Sequence, residues 1–151
     1  MSQHHPITMY ADLHLDMVAA EDIVRRALGA EGFGVLTEID VQQTLHDKLD
    51  VAVPPYRILG ACNPALAHRA ITAMPEVGTL LPCNVVLRAI EPGTTRVDIA
   101  DPLPMLALLD DAELHGIATD AHERLARVAE ALRRTPPAAD VSPPSSLSSS
   151  A

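Results

Sequence analysis

Leu80-Leu81-Pro82-Cys83-Asn84-Val85-Val86-Leu87-Arg88-Ala89-Ile90, then Glu91-Pro92-Gly93-Thr94, then Thr95-Arg96-Val97-Asp98-Ile99-Ala100: this stretch decides the fold class of the chain. Its first run is apolar and β-branched, as a central strand requires. Pro82 must stand at the start of that strand, because proline has no N–H to give to a ladder. Glu91 to Thr94 carries turn residues, so Thr95 to Ala100 returns as a hairpin partner. A hairpin is an antiparallel connection. Together with the scarcity of consecutive βαβ units it argues against an all-parallel sheet and for an α+β domain, a mainly antiparallel sheet with helices packed on one face.

Working outward from the hairpin, Ile7, Met9, Ala11, Leu13 and Leu15 alternate with polar residues and predict a half-buried first strand. Asp16 is an N-cap for a helix to about Leu28, with Glu21 and Asp22 near its positive end. Met17, Ala20, Val24, Ala27 and Leu28 form its apolar stripe, and Gly29 and Gly32 stop it. Phe33 to Ile39 reads as a second strand. Asp40 then caps a helix from Val41 to Leu49, with Gln43 in the reciprocal capping-box position and Val41, Leu45 and Leu49 on a shared buried side. Pro54-Pro55 leads into a third strand, Tyr56 to Cys62. Asn63-Pro64 starts the next helix, Asn as cap and Pro at the first helical position, with Leu66, Ala70, Ile71 and Met74 inward. Beyond Asp101-Pro102, Met105 to Leu109 reads as a short apolar turn. A last helix from about Asp111 to Arg134, with a bend expected near Gly116, carries the stripe Ala121, Leu125, Val128, Ala129 and Leu132. The predicted organisation is a flexible N-terminus over 1–6, one domain over 7–134, and a disordered Pro/Ala/Ser-rich tail over 135–151 with Leu147 as its one large apolar residue.

The 151 residues suit a single domain, and 48% hydrophobic content is enough to build a core. Aromatic residues are 2%, so that core is aliphatic and the platforms on which bases or sugars stack are missing. The net charge is -9, from 11 basic and 20 acidic residues, which excludes nucleic acid and anionic membrane surfaces as expected partners. Arg25-Arg26 and Arg133-Arg134 lie on predicted helices among acidic neighbours and read as solvated faces. No run approaches the ~18 apolar residues of a membrane span, and Met1 to Pro6 lacks a basic leader, so a cytoplasmic location is expected. In that compartment Cys62 and Cys83 are expected as free thiols.

Gly32-Phe33-Gly34-Val35-Leu36-Thr37-Glu38-Ile39-Asp40, Lys48-Leu49, Tyr56 to Pro64, Leu80 to Val86 and Asp101-Pro102, in this order and spacing, resemble the domain of unknown function 302 family over about residues 7–134. The resemblance implies a TATA-box-binding-protein-like α+β fold, often a homodimer. It implies no reaction, cofactor or catalytic residue, and fold does not carry a DNA-binding role by itself.

Chemistry, where the residues suggest any, gathers at Cys62-Asn63 and Cys83-Asn84. Cys62 stands just before a predicted helix N-terminus, where free N–H groups and the helix dipole favour a thiolate. Were strands three and four neighbours, Cys83 could approach it. The pair could then bind a small ligand, cycle between dithiol and disulfide, or hold copper(I) or zinc with His68, the nearest histidine in sequence, as a further ligand. Met105 and Asp101 are expected at the same end of the sheet. The alternative is that both cysteines are small buried hydrophobes and Asn63 only a cap. Carboxylates Glu38, Asp40, Asp98, Asp110 and Asp111 read as caps or strand-end charges; Asp101 is set apart because Asp-Pro falls among the family-like motifs. There is no glycine-rich nucleotide loop and no nucleophile elbow. Three functions stay open: a thiol, small-ligand or soft-metal binding domain, an enzyme with Cys62 as thiolate and the Asn63 or Asn84 amides at an oxyanion, or an interaction module with inert cysteines. Binding leads, since neither His68 nor Lys48 is placed as a general base.

Overall fold

The computed structural model describes residues 6–138. Five strands, β1 (Thr8–Leu13), β2 (Gly34–Asp40), β3 (Tyr56–Cys62), β4 (Cys83–Glu91) and β5 (Thr94–Ala100), form one sheet in the order β1-β5-β4-β3-β2 with every neighbouring pair antiparallel. The β4–β5 hairpin that decided the fold class is its centre. The helices are α1 (Met17–Ala30), α2 (Val41–Leu49), α3 (Pro64–Ala73), α4 (Pro102–Leu106) and α5 (Ala112–Arg133), with a 3-10 segment over Pro75–Leu80. Among the described residues no helix is long and apolar enough to cross a membrane. The terminal segments expected to be flexible, 1–6 and 135–151, fall almost entirely outside the described residues.

Alternation along the strands puts Ala11, Leu13, Leu59, Ala61, Val85, Leu87, Val97 and Ile99 on one face, all buried. Against them pack Ala20, Val24 and Leu28 of α1 and Leu125, Val128, Ala129 and Leu132 of α5. Each fully buried leucine or isoleucine here contributes about 1.5–3 kcal/mol relative to exposure. Caps follow the sequence closely: Asp16, Asp40, Asn63 and Asp111 each accept from a backbone N–H three residues on. Four of the carboxylates set aside as structural are engaged so, Asp40 and Asp111 as caps and Glu38 and Asp98 in ion pairs. Glu38 meets Arg25 and Arg57, Asp98 meets Arg88 at 2.8 Å, and Asp12 grips Arg96 through two hydrogen bonds of 2.7 and 2.9 Å beside the Tyr10 ring.

Several expectations need correction. α2 buries none of its residues: Val41 and Leu45 are half-buried and Leu49 is 65% exposed. Its apolar spacing is real, but α2 follows the edge strand β2, where no second layer covers it. Gln43 does not close the capping box; its amide turns forward to Asp47 at 2.8 Å. The turn expected at Met105 to Leu109 is preceded by the helix α4, capped by Asp101 through the Leu103 N–H. Residues Pro75–Leu80, assigned to no element or to the start of β4, coil into the 3-10 segment, and β4 begins only after Pro82.

The C-terminal end of β3, the start of β4 and the C-terminal end of β5 lie together at one end of the sheet, as antiparallel neighbours must. From that end α3 and α4 depart. A second apolar cluster, Leu66, Ala70, Val77, Leu106, Leu114, Ile117, Ala118 and Ala121, covers it. The candidate site lies between this cluster and the sheet.

Candidate functional site

Strands β3 and β4 are neighbours, so the condition for Cys83 to approach Cys62 is met. Their register is one step out: Cys83 faces Ala61, whereas Cys62 faces Gly34 on β2. Cys62 ends its strand and Cys83 begins its own, and both border one small, partly open cavity of about 50 Å³ lined mostly by buried residues. Apart from Asn63 its other walls are apolar, chiefly Phe33, Leu66, Ala70, Val77, Ile117 and Ala121. A larger cleft of about 190 Å³ lies alongside, with Thr79, Asn84 and Met105 on its border. Cleft and cavity share one wall: Leu81, Pro82, Cys83, Pro102 and Leu106 line both. Cys83 therefore stands between an outer and an inner space.

The electrostatics of the two thiols differ from the helix-dipole expectation. Burial pushes the Cys62 thiol up, not down. The free N–H of Leu66 that might have favoured a thiolate is already taken by the Asn63 side chain at 3.2 Å. Cys83 is pushed up to about 11, first by burial and then by the nearby Cys62 and Asp101. Both shifts disfavour the thiolate at neutral pH, the form that attacks an electrophile or ligates a soft metal.

Asn63 is buried at 8% exposure. Gly32 makes room for it: a Cβ at Gly32 would lie 3.0 Å from the Asn63 amide nitrogen, and its φ of +83° suits glycine. Asn84 is exposed, one step from Cys83 along β4 and bordering the outer cleft. Asp101, also 8% exposed, is held from three sides. Its N–H donates to the Ile7 carbonyl at 2.9 Å, and its Oδ1 accepts from the Leu103 N–H at 3.0 Å while lying 2.9 Å from His122 Nδ1. The Asp101–His122 pair was not foreseen. Twenty-one positions separate the two, and His122 sits one residue past Ala121 of the α5 stripe, so neither motif nor period joins them.

His68 does not reach the thiols. On α3 the residues facing the cavity are Leu66, Ala67 and Ala70, and His68 projects to the exposed side, beside Arg69, Thr72 and Glu113. Among the described residues no three His, Cys, Asp or Glu side chains converge as a zinc site would need. Met105, by contrast, borders the same cleft as Cys83, and Asp101 lies close enough to Cys83 to act on its charge, as expected of both.

A family model, Domain of unknown function DUF302, matches residues 10–132. The chain belongs to the DUF302 family. A solved structure described as an uncharacterized conserved protein DUF302 from Bacillus stearothermophilus is 31% identical, with a TM-score of 0.77 over 85% of this chain and 100% of that one. No curated protein matches. The family match spans the whole of the site, from β3 and its cysteine to His122 on α5.

Proposed function

We propose that this DUF302 domain binds a small molecule in the cleft at the end of its sheet, with Cys83 as the thiol at the junction of cleft and inner cavity. The observation that carries this reading is the shared wall: Leu81, Pro82, Cys83, Pro102 and Leu106 separate two spaces that tight core packing would have closed. Cys62 lines the inner space and makes it a two-thiol site. The raised thiols favour binding over the nucleophilic alternative, since an attacking cysteine needs a depressed pKa or an adjacent base. A second occupant would be copper(I), with Cys62 and Cys83 of the inner space as its soft donors and Met105 bordering the cleft, and it would have to displace both thiol protons.

Methyl methanethiosulfonate labelling of the native full chain, followed by mass spectrometry from pH 7 to 11, tests the reading. Cys83 is expected to label without denaturant, with a rate that climbs towards pH 11. Labelling of Cys83 only after urea is added means that the cleft is closed core, and the reading falls. Copper(I) added first should protect both cysteines, and Cys62→Ser should remove the protection at Cys83; unchanged rates reject the metal alone.

A further inference from the structure

Among the described residues the linings of the two spaces contain no charged side chain, and their dimensions are unequal in a way that selects a shape. We infer that the ligand of this cleft is a neutral, unbranched amphiphile of medium chain length, whose tail end passes the Cys83 wall into the inner cavity and whose polar end stays at Asn84. The inference rests on the binding reading above.

Charge comes first. Among the described residues no Lys or Arg borders the cleft or the cavity, and the buried Asp101, between two cleft residues in sequence, is in neither lining. An anionic head would be desolvated in the cleft without a counter-charge. A cationic head gains little, because the Asp101 oxygen is already taken by Leu103 and His122. A neutral head that can both donate and accept, such as an alcohol, meets the Asn84 carboxamide, which does both.

Shape comes next. An inner space of about 50 Å³ holds roughly three or four water-sized groups, far below the ~150 Å³ that admits an aromatic ring. Ala70 and Ala121 keep it open on the helix side. Leu81, Pro82, Cys83, Pro102 and Leu106 border both spaces, so a chain that occupies both must lie along them, and the small size of the inner one admits a straight chain and not a ring. The outer cleft, at about 190 Å³, takes the rest of a chain of roughly six to eight carbons, each buried methylene adding to affinity.

The test uses Cys83 of the native full chain as reporter, with 1-octanol, octanoate and cyclohexanol as probes below their micellar or solubility limits. 1-Octanol is expected to slow methanethiosulfonate labelling of Cys83 at least fivefold and saturably, with octanoate and cyclohexanol changing it less than twofold. Ala70→Leu, which fills the inner space, is expected to weaken 1-octanol at least tenfold in the same assay. Should that variant fail to fold, a C4-to-C10 alcohol series on the wild type replaces it, with protection rising to about C8 and then levelling. Equal protection by octanoate or by cyclohexanol overturns the ligand class, as does an absence of protection by any alcohol. In each of those outcomes Cys83 still labels in the native state, so the cleft reading stands. Labelling only in urea removes both.

Discussion

Removing the Cys83 thiol should change how the protein responds to alkali, in an amount the structure sets. The thiol ionises at about 11 in the folded chain, against an ordinary 9.0. In the unfolded chain it loses its proton first, so rising pH favours unfolding between those two values. Its contribution to stability is fully present below pH 9.0 and is lost as pH climbs through about 11. Two units at about 1.36 kcal/mol each give an upper bound near 2.7 kcal/mol, and incomplete burial brings the expected loss to about 2 kcal/mol. Urea denaturation at pH 8, 9, 10 and 11 on wild type and Cys83→Ala measures it directly. The wild type should lose about 2 kcal/mol more than the variant across that range, while the variant starts lower because a buried side chain has been trimmed. Parallel pH curves for the two proteins would refute the reasoning, because they would mean that the Cys83 thiol ionises as easily folded as unfolded.

Two further substitutions probe the surroundings of that thiol. Asp101→Ala removes the α4 cap and the partner of His122 together, for a loss of about 2 kcal/mol, of which the cap supplies about 1 kcal/mol. Asp101→Asn keeps a capping oxygen and should cost less than half as much; chemical denaturation of both, with His122→Ala to complete a double-mutant cycle, separates the two contributions. Equal stability of Asp101→Ala and wild type would show that neither contact matters. Gly60→Ala places a methyl against the Thr37 hydroxyl and 2.8 Å from Pro82 Cγ, so a loss of about 1–3 kcal/mol is expected from overpacking. Thr37→Ala in the same chain should recover part of it, and a Gly60→Ala protein as stable as wild type would remove the close approach of β2, β3 and Pro82 from the account.

The hairpin, the caps and the helical stripes were legible because each rests on rules that act within one or two turns of chain: a turn sequence at Glu91 to Thr94, an acceptor side chain three residues ahead of a free N–H, apolar residues three and four apart. α2 shows where such rules end. Val41, Leu45 and Leu49 have the spacing of a buried face, yet burial is a property of what lies opposite, and an edge strand offers nothing there. Cys62 fails in the same way. Its place before a helix N-terminus is local and correctly read; the burial that raises its pKa comes from the packed sheet end around it.

Asp101 carries the argument a step further, because in it a local and a tertiary role share one atom. Its Oδ1 accepts from Leu103, which makes it a cap of the kind that closed the question for Asp40 and Asp111. The same oxygen meets His122, and the same charge acts on Cys83. Capping explains why an acidic residue stands before Pro102, but it does not explain burial to 8% exposure, which desolvates a carboxylate for no gain in helix stability. An exposed cap such as Asp40 does the first task without the second. The burial is accounted for by its position between α4 and α5, where Leu103 and His122 both depend on the carboxylate, while the backbone N–H alone holds Ile7. That is the reason the Asp101 substitutions, and not those at exposed caps such as Asp16 and Asp40, are expected to reach the thiol site.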